Sequence, residues 1–285
     1  MDIGIFNIVP DGTCDLAVIA KRAEELGFES FWVGDHPVFP VVNTLPYPGM
    51  EHGTPPPEFV DRIPDPFITL ARASAATTSI KFGTSICLVA QRNPLVLANE
   101  IATLDALSGG RFVFGIGAGW SREECEILGG DFDHRWTQIR EQIGIMKGLW
   151  TKDQSEHHGR YYDFPAVKGF PKPKQQPHPP ILLGAFPSDR IFKRIAEFGD
   201  GWLPLVYTPE DLAANVEQLK QVCDQKGRDF STIDITVLGG PEQWRTADEL
   251  AALEAAGATR VILWMLAPHT DGVLAEVETL AGELL

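Results

Sequence analysis

Asp35-His36 closes the apolar run Ser30-Phe31-Trp32-Val33-Gly34, and the glycine-rich stretch Gly115-Ile116-Gly117-Ala118-Gly119-Trp120 is followed within one turn by Glu123-Glu124. A histidine beside a carboxylate at a strand end is suited to exchanging protons near neutral pH, so His36 is a candidate general acid or base. One of the two glutamates is expected to face the same pocket and the other the solvent. Glu123 is assigned to the pocket, as the second catalytic residue. Glycines at alternate positions remove side chains from a strand end, where something broad and flat can then approach the main chain. Relief of crowding inside a barrel would leave the same pattern. A dinucleotide fingerprint fits poorly, because Trp120 stands where the third glycine of G-x-G-x-x-G is needed and the stretch does not follow the first strand.

Strand-like and helix-like patterns alternate along the whole chain, and they are what must hold these residues. Strands are expected at 3–9, 30–34, 81–89, 111–119, 179–186, 201–205, 233–240 and 260–266. The first helix shows Leu16, Ile19, Ala20, Ala23 and Leu26 on one face and stops at Gly27. The third is capped by Asn93, opened by Pro94 and stopped by Gly109-Gly110. Eight alternations with strands apolar on both faces predict an α/β protein, a single (β/α)8 TIM barrel spanning 1–285 as one domain. In such barrels chemistry gathers on the loops at the strand C-termini. Insertions are expected after strand two, where the proline-rich segment 37–65 would form a lid or substrate wall, and after strand four, where 151–179 reads as a hairpin with a proline-stiffened return.

A net charge of -15 argues against nucleic-acid binding, which needs cations facing phosphate. The expected partner is a small molecule. Cys14, Cys87, Cys125 and Cys223 are scattered, without metal-site or disulfide spacing, so no metal is expected. The absence of a basic-then-apolar leader, or of an apolar run near 20 residues, predicts a cytoplasmic protein without a membrane span. Between 160 and 194 seven Lys and Arg face two Asp, a local charge of +5 that would draw an anionic ligand tail. Ser188 opens a helix there, and free N–H groups at a helix start suit phosphate.

The string GTSICLVAQRNPLVLANEIATLDALSGGRFVFGIGAGWSREECEILG, with FWVGDH, HGRYYDF, PPILLGA and FGDGW, resembles the luciferase-like monooxygenase superfamily, in particular its branch dependent on the deazaflavin coenzyme F420. The resemblance covers nearly the full length. It implies a barrel holding F420, or alternatively FMN, at the strand C-termini, with a non-prolyl cis peptide at Ser85-Ile86 behind the ring. It implies His36 as the active-site histidine, Gly117, Ala118, Gly119 and Trp120 beside the ring, and Gly184, Ala185 and Phe186, with Ser188, on the phosphate side. Asp35, Ser85, Ile86 and Cys87 complete the expected cofactor-binding set. A homodimer is expected on the same ground.

Sugar-phosphate dehydrogenases of this family carry a glutamate where Trp120 stands, and that glutamate assists proton transfer. Trp120 offers an aromatic wall and one N–H donor instead, which points to a more apolar substrate. The leading expectation is an oxidoreductase moving hydride between F420 and a small organic substrate. The alternatives are a monooxygenase using reduced FMN and oxygen, and a flavin- or deazaflavin-binding protein without catalysis.

Overall fold

Eleven strands and nine helices follow one another in the computed structural model, which describes residues 1–8, 14–48, 50–205 and 208–285. In chain order the strands are β1 (Asp2–Phe6), β2 (Ser30–Val33), β3 (Lys81–Thr84), β4 (Cys87–Leu88), β5 (Phe112–Gly117), β6 (Ser155–His158), β7 (Asp163–Val167), β8 (Ile181–Gly184), β9 (Gly201–Leu203), β10 (Asp234–Leu238) and β11 (Arg260–Trp264). The helices are α1 (Leu16–Leu26), α2 (Pro66–Ala75), α3 (Pro94–Leu107), α4 (Arg122–Ile127), α5 (Arg135–Thr151), α6 (Asp189–Phe198), α7 (Pro209–Lys226), α8 (Ala247–Ala255) and α9 (Thr270–Leu284).

Parallel pairing runs β1-β2-β3-β5-β8-β9-β10-β11 and back to β1, closing an eight-stranded barrel with the helices outside. The predicted (β/α)8 barrel is therefore present. Strand two-residue periodicity sorts the core into two layers. Phe6, Trp32, Val113, Leu182, Leu203 and Ile262 fill the barrel interior, while Ile5, Phe31, Phe112, Phe114, Leu183 and Leu263 pack between sheet and helices.

Local chemistry sets the helix starts. Asn93 accepts from Leu95 N and Val96 N ahead of Pro94, and Asp65 accepts from Phe67 N and Ile68 N ahead of Pro66, each satisfying amides that a first turn leaves free. The expected third strand, 81–89, is interrupted. It breaks after Thr84 at a cis Ser85-Ile86 peptide, resumes as β4, and passes into a 3-10 turn at Val89–Gln91. The end of the expected first strand, at Val9, lies outside the described residues.

Segment 37–65 lies between β2 and α2, and the antiparallel hairpin β6-β7 lies between α5 and β8. Among the described residues no helix is long and apolar enough to cross a membrane.

Candidate active site

A chamber of about 700 Å³ opens at the C-terminal ends of the barrel strands, within the range of small-molecule sites. Its floor is the top layer of the barrel core, Phe6, Ile86, Leu203, Leu238 and Trp264. One wall comes from segment 37–65 through Leu45, Tyr47, Phe59 and Ile63, so the proline-rich connection does border the cavity.

The glycines of β5 shape that floor. A Cβ on Gly117 would stand 1.6 Å from Ile86 Cδ1, and one on Gly184 would stand 2.4 Å from Ile86 Cγ2. Ile86 is thus lodged across two bare strands, and Ser85 and Ile86 present themselves to the chamber. Gly117 itself makes room for Ile86 and does not line the cavity, a correction to its expected place beside a ligand. Ala118, Gly119, Trp120, Gly184, Ala185 and Phe186 do line it.

His36 borders the chamber with its side chain 11% exposed. Its Nδ1 lies 2.9 and 3.0 Å from the two oxygens of Glu124, which is wholly buried on α4. A carboxylate only accepts, so Nδ1 carries the hydrogen and Nε2 is left as the basic nitrogen. Ser121 caps α4 and accepts from Glu124 N, fixing the turn that holds the carboxylate. The catalytic assignment of Glu123 is corrected here. Glu123 accepts from the Thr44 hydroxyl at 2.6 Å and Thr44 N at 3.2 Å, which hold its carboxyl below the usual range, and it lies away from the chamber. One step along a helix is about 100°, enough to exchange the Thr44 contact for one with His36; Glu124 does not itself line the chamber and acts on it through His36.

Asp35, although at the chamber edge, spends its oxygens on structure. Oδ1 accepts from Arg92 Nη2 at 2.8 Å, and Oδ2 accepts from Arg92 Nε at 3.2 Å and Leu88 N at 3.0 Å. Burial opposes the Arg92 charge, but the carboxylates of Asp35 and Asp65 outweigh it and raise the guanidinium above its ordinary pKa. Cys87 sits beside this pair, fully buried, and burial pushes its thiol well up. It does not face the chamber, which corrects its expected cofactor contact.

Ser188 is likewise displaced from the main cavity. It caps α6, accepting from Ile191 N at 3.3 Å, and lies in an adjoining recess with His134, Arg135, Arg190 and Arg194. Arg135, Trp136 and Ile191 belong to both spaces, so the recess continues the chamber. Burial lowers the Arg135 pKa, and burial together with the neighbouring Arg190 charge lowers that of Arg194. Arg135 Nε is buried without an acceptor. The recess also holds Asp133, but its carboxylate accepts from Arg122, so Arg135, Arg190 and Arg194 are only partly balanced there. The basic segment 160–194 is split in space: Lys172 donates to Leu149 O and Lys152 O at the end of α5, and Lys174 lies against the Gly110 turn before β5, both at the opposite end of the barrel.

Several chamber residues escaped the sequence reading, among them Arg135, Tyr47 and Phe59. Arg135 looked like an ordinary helix start, and Tyr47 and Phe59 were hidden in a long loop without periodicity. Ser85 Oγ and Trp120 Nε1 are also buried without partners, leaving hydrogen-bonding capacity where the cavity lies.

The luciferase-like monooxygenase family model matches residues 13–282. An uncharacterized protein of Mycobacterium tuberculosis is 33% identical over 286 residues, covering 100% of this chain and 99% of that one. The F420-dependent glucose-6-phosphate dehydrogenase of Amycolatopsis mediterranei is 31% identical over 196 residues, 67% of this chain and 53% of that enzyme. Among solved structures, the coenzyme F420 dependent tetrahydromethanopterin reductase of Methanopyrus kandleri shares the fold with a TM-score of 0.76 at 19% identity, over 100% of this chain and 99% of that one. The oxygenating constituent of 3,6-diketocamphane monooxygenase of Pseudomonas putida, in complex with FMN, does so with a TM-score of 0.65 at 19% identity, over 83% and 66%. The chain is an oxidoreductase belonging to the luciferase-like monooxygenase family.

Proposed function

We propose that the protein binds the deazaflavin coenzyme F420 in the chamber and moves a hydride between its C5 and a small organic substrate, with His36 giving or taking the accompanying proton. The observation that carries this reading is one apolar cavity that is bordered by the His36 of a buried carboxylate-histidine pair and continues into a recess lined by Arg135, Arg190 and Arg194. When bound, the deazaflavin supplies a two-electron hydride donor or acceptor and lacks the ring nitrogen with which flavins activate oxygen.

The residues fit such a group. Ile86, Leu203 and Leu238 offer an apolar floor for a flat ring, and Ser85 Oγ and Arg135 Nε are buried polar atoms without partners. The start of α6, with Arg190 and Arg194, suits an anionic tail. Glu124 holds the His36 ring in one tautomer and stabilises its charged form after it takes a proton, the role a carboxylate plays behind a catalytic histidine. The apolar walls exclude water from the transfer.

Equilibrium binding of F420 and of FMN to the purified protein tests the reading. Dissociation constants in the micromolar range for F420, with weaker binding of FMN, are expected. Binding of FMN alone would replace the proposal with a reduced-FMN, oxygen-consuming monooxygenase, and tight binding without turnover of any substrate would leave a non-catalytic cofactor-binding protein.

A further inference from the structure

Segment 37–48 crosses the chamber beside His36 as a strap. It supplies Leu45, Pro46, Tyr47 and Pro48 to the wall, yet none of its residues is buried, and Val41 and Val42 stand out in solvent. Pro37, Pro40, Pro46 and Pro48 each fix a φ angle, so the strap is stiff. A stiff segment with no buried residue is placed by its contacts at a few points.

Two polar contacts tie it to the start of α4. The Ser121 hydroxyl donates to Asn43 Oδ1 at 2.6 Å, and Glu123 Oε1 accepts from the Thr44 hydroxyl at 2.6 Å and from Thr44 N at 3.2 Å. Ring contacts accompany them. Tyr47 lies 5.5 Å and Phe39 5.9 Å from Trp120 between centroids, and Phe39 lies 5.9 Å from His36.

The carboxylate is only half satisfied in this arrangement. Oε1 of Glu123 takes both bonds from the strap, while Oε2 is covered without a partner. An oxygen covered in this way loses hydration that opening would return to it, so the contact holds the strap weakly. Ser121 has a second duty. Its Oγ accepts from Glu124 N, in the turn whose Glu124 holds His36, so the strap and the histidine are anchored on the same turn.

We infer that Glu123, together with Ser121, is a positioning residue that latches the strap shut over His36. Latched, the strap shields the imidazole and completes the wall beside Trp120. When the Glu123–Thr44 contact opens, the strap lifts as one stiff piece and small molecules reach His36 Nε2 from solvent, a gating role of the kind that lids play in other enzymes. Glu123 itself stays outside the chamber and acts only through the strap. The inference concerns access, so it holds whichever cofactor the chamber takes.

Access can be read on the purified protein without turnover or cofactor. Diethyl pyrocarbonate is a small neutral reagent that acylates an uncharged imidazole nitrogen, and peptide mass spectrometry follows each histidine separately. The exposed His134 and His158 serve as controls in the same sample. Glu123→Ala removes both strap bonds and is expected to raise the rate at His36 about 10-fold, the scale of net hydrogen-bond strength, with the controls unchanged. Thr44→Val leaves α4 untouched, removes one bond and is expected to raise the rate less. Thr44→Ser is expected to keep the wild-type rate, and Glu123→Ala combined with Thr44→Val to match Glu123→Ala alone. Hydrogen exchange of segment 37–48 is expected to quicken in parallel, with α5 and the urea midpoint unchanged. Faster strap exchange with His36 reactivity unchanged would overturn the inference, because the strap would then be loose without gating. Unchanged exchange and reactivity would overturn it too. A lowered urea midpoint in Thr44→Val would assign the contact to the fold and contradict the latch.

Discussion

Glu124 accepts the Nδ1 hydrogen of His36 at 2.9 Å across 88 residues of chain, from a position with no solvent exposure. A buried carboxylate needs such a partner, and the partner in turn is held in one orientation with one nitrogen basic. Glu124→Gln keeps the size and a hydrogen bond but removes the charge that stabilises a protonated ring. We expect kcat to fall roughly 10²-fold with KM little changed, measured by steady-state kinetics, and His36→Ala to lose about 10² to 10⁴ in turnover. Unchanged turnover in His36→Ala would remove the histidine from the mechanism.

Gly115 and Gly117 make opposite predictions despite lying on one strand. A Cβ at Gly115 would stand 1.9 Å from Thr84 O, a main-chain atom of the neighbouring strand, so the barrel itself must give. Gly115→Ala is expected to cost about 1 to 3 kcal/mol of stability, read from urea unfolding. At Gly117 the clash is with the Ile86 side chain, which can yield into the chamber. Gly117→Ala is expected to change stability less and to weaken F420 binding more, read by fluorescence titration.

The buried Asp35-Arg92 pair is a structural strut beneath the site. Arg92 is bidentate to Asp35 and also stacks 5.2 Å from the Phe67 ring centroid. Removing Asp35 leaves Arg92 with Asp65 alone, at 3.3 Å, and Leu88 N without its acceptor, so Asp35→Ala is expected to cost about 3 kcal/mol in chemical denaturation, the low end for breaking a buried pair. A near-neutral result would mean that the charge finds water or another partner.

Acid should unfold the protein through Glu24 and Glu29. Burial alone would raise the Glu24 pKa, but hydrogen bonds from Ser79 N, Ile80 N, Thr78 N and the Ser79 hydroxyl hold it at about 2. Burial likewise opposes the Glu29 charge, while bidentate Arg260 and Lys81 hold that carboxyl at about 2. A carboxyl whose folded pKa lies below its ordinary 4.5 stabilises fully above that value and loses the contribution as pH falls toward the folded one. Unfolding free energy is therefore expected to drop between about pH 4.5 and pH 2, with a shallower slope in Glu24→Gln. An identical slope would assign the acid sensitivity to other groups.

Much of the barrel was legible because β/α alternation leaves periodic apolar runs, and because Asn93-Pro94 writes a helix start in two residues. The break after Thr84 was not legible from periodicity, since apolar residues continue through Cys87 and Leu88 while the backbone turns. It was anticipated only through the family resemblance. His36 was found because its residue type and its place at a strand end coincide. Glu123 was chosen over Glu124 because α4 has only six residues, too few to fix which side faces inward. The basic run was misread as one surface because sequence neighbours on either side of β8 emerge at opposite ends of a barrel strand.

Oxygen uptake, measured beside the redox state of the cofactor, tests the central claim most directly. Protein loaded with reduced F420 in air is predicted to hold its cofactor reduced and consume no oxygen until an organic acceptor is added, whereupon cofactor oxidation matches product formed. Oxygen consumption supported by reduced FMN, with F420 inert, would contradict the account.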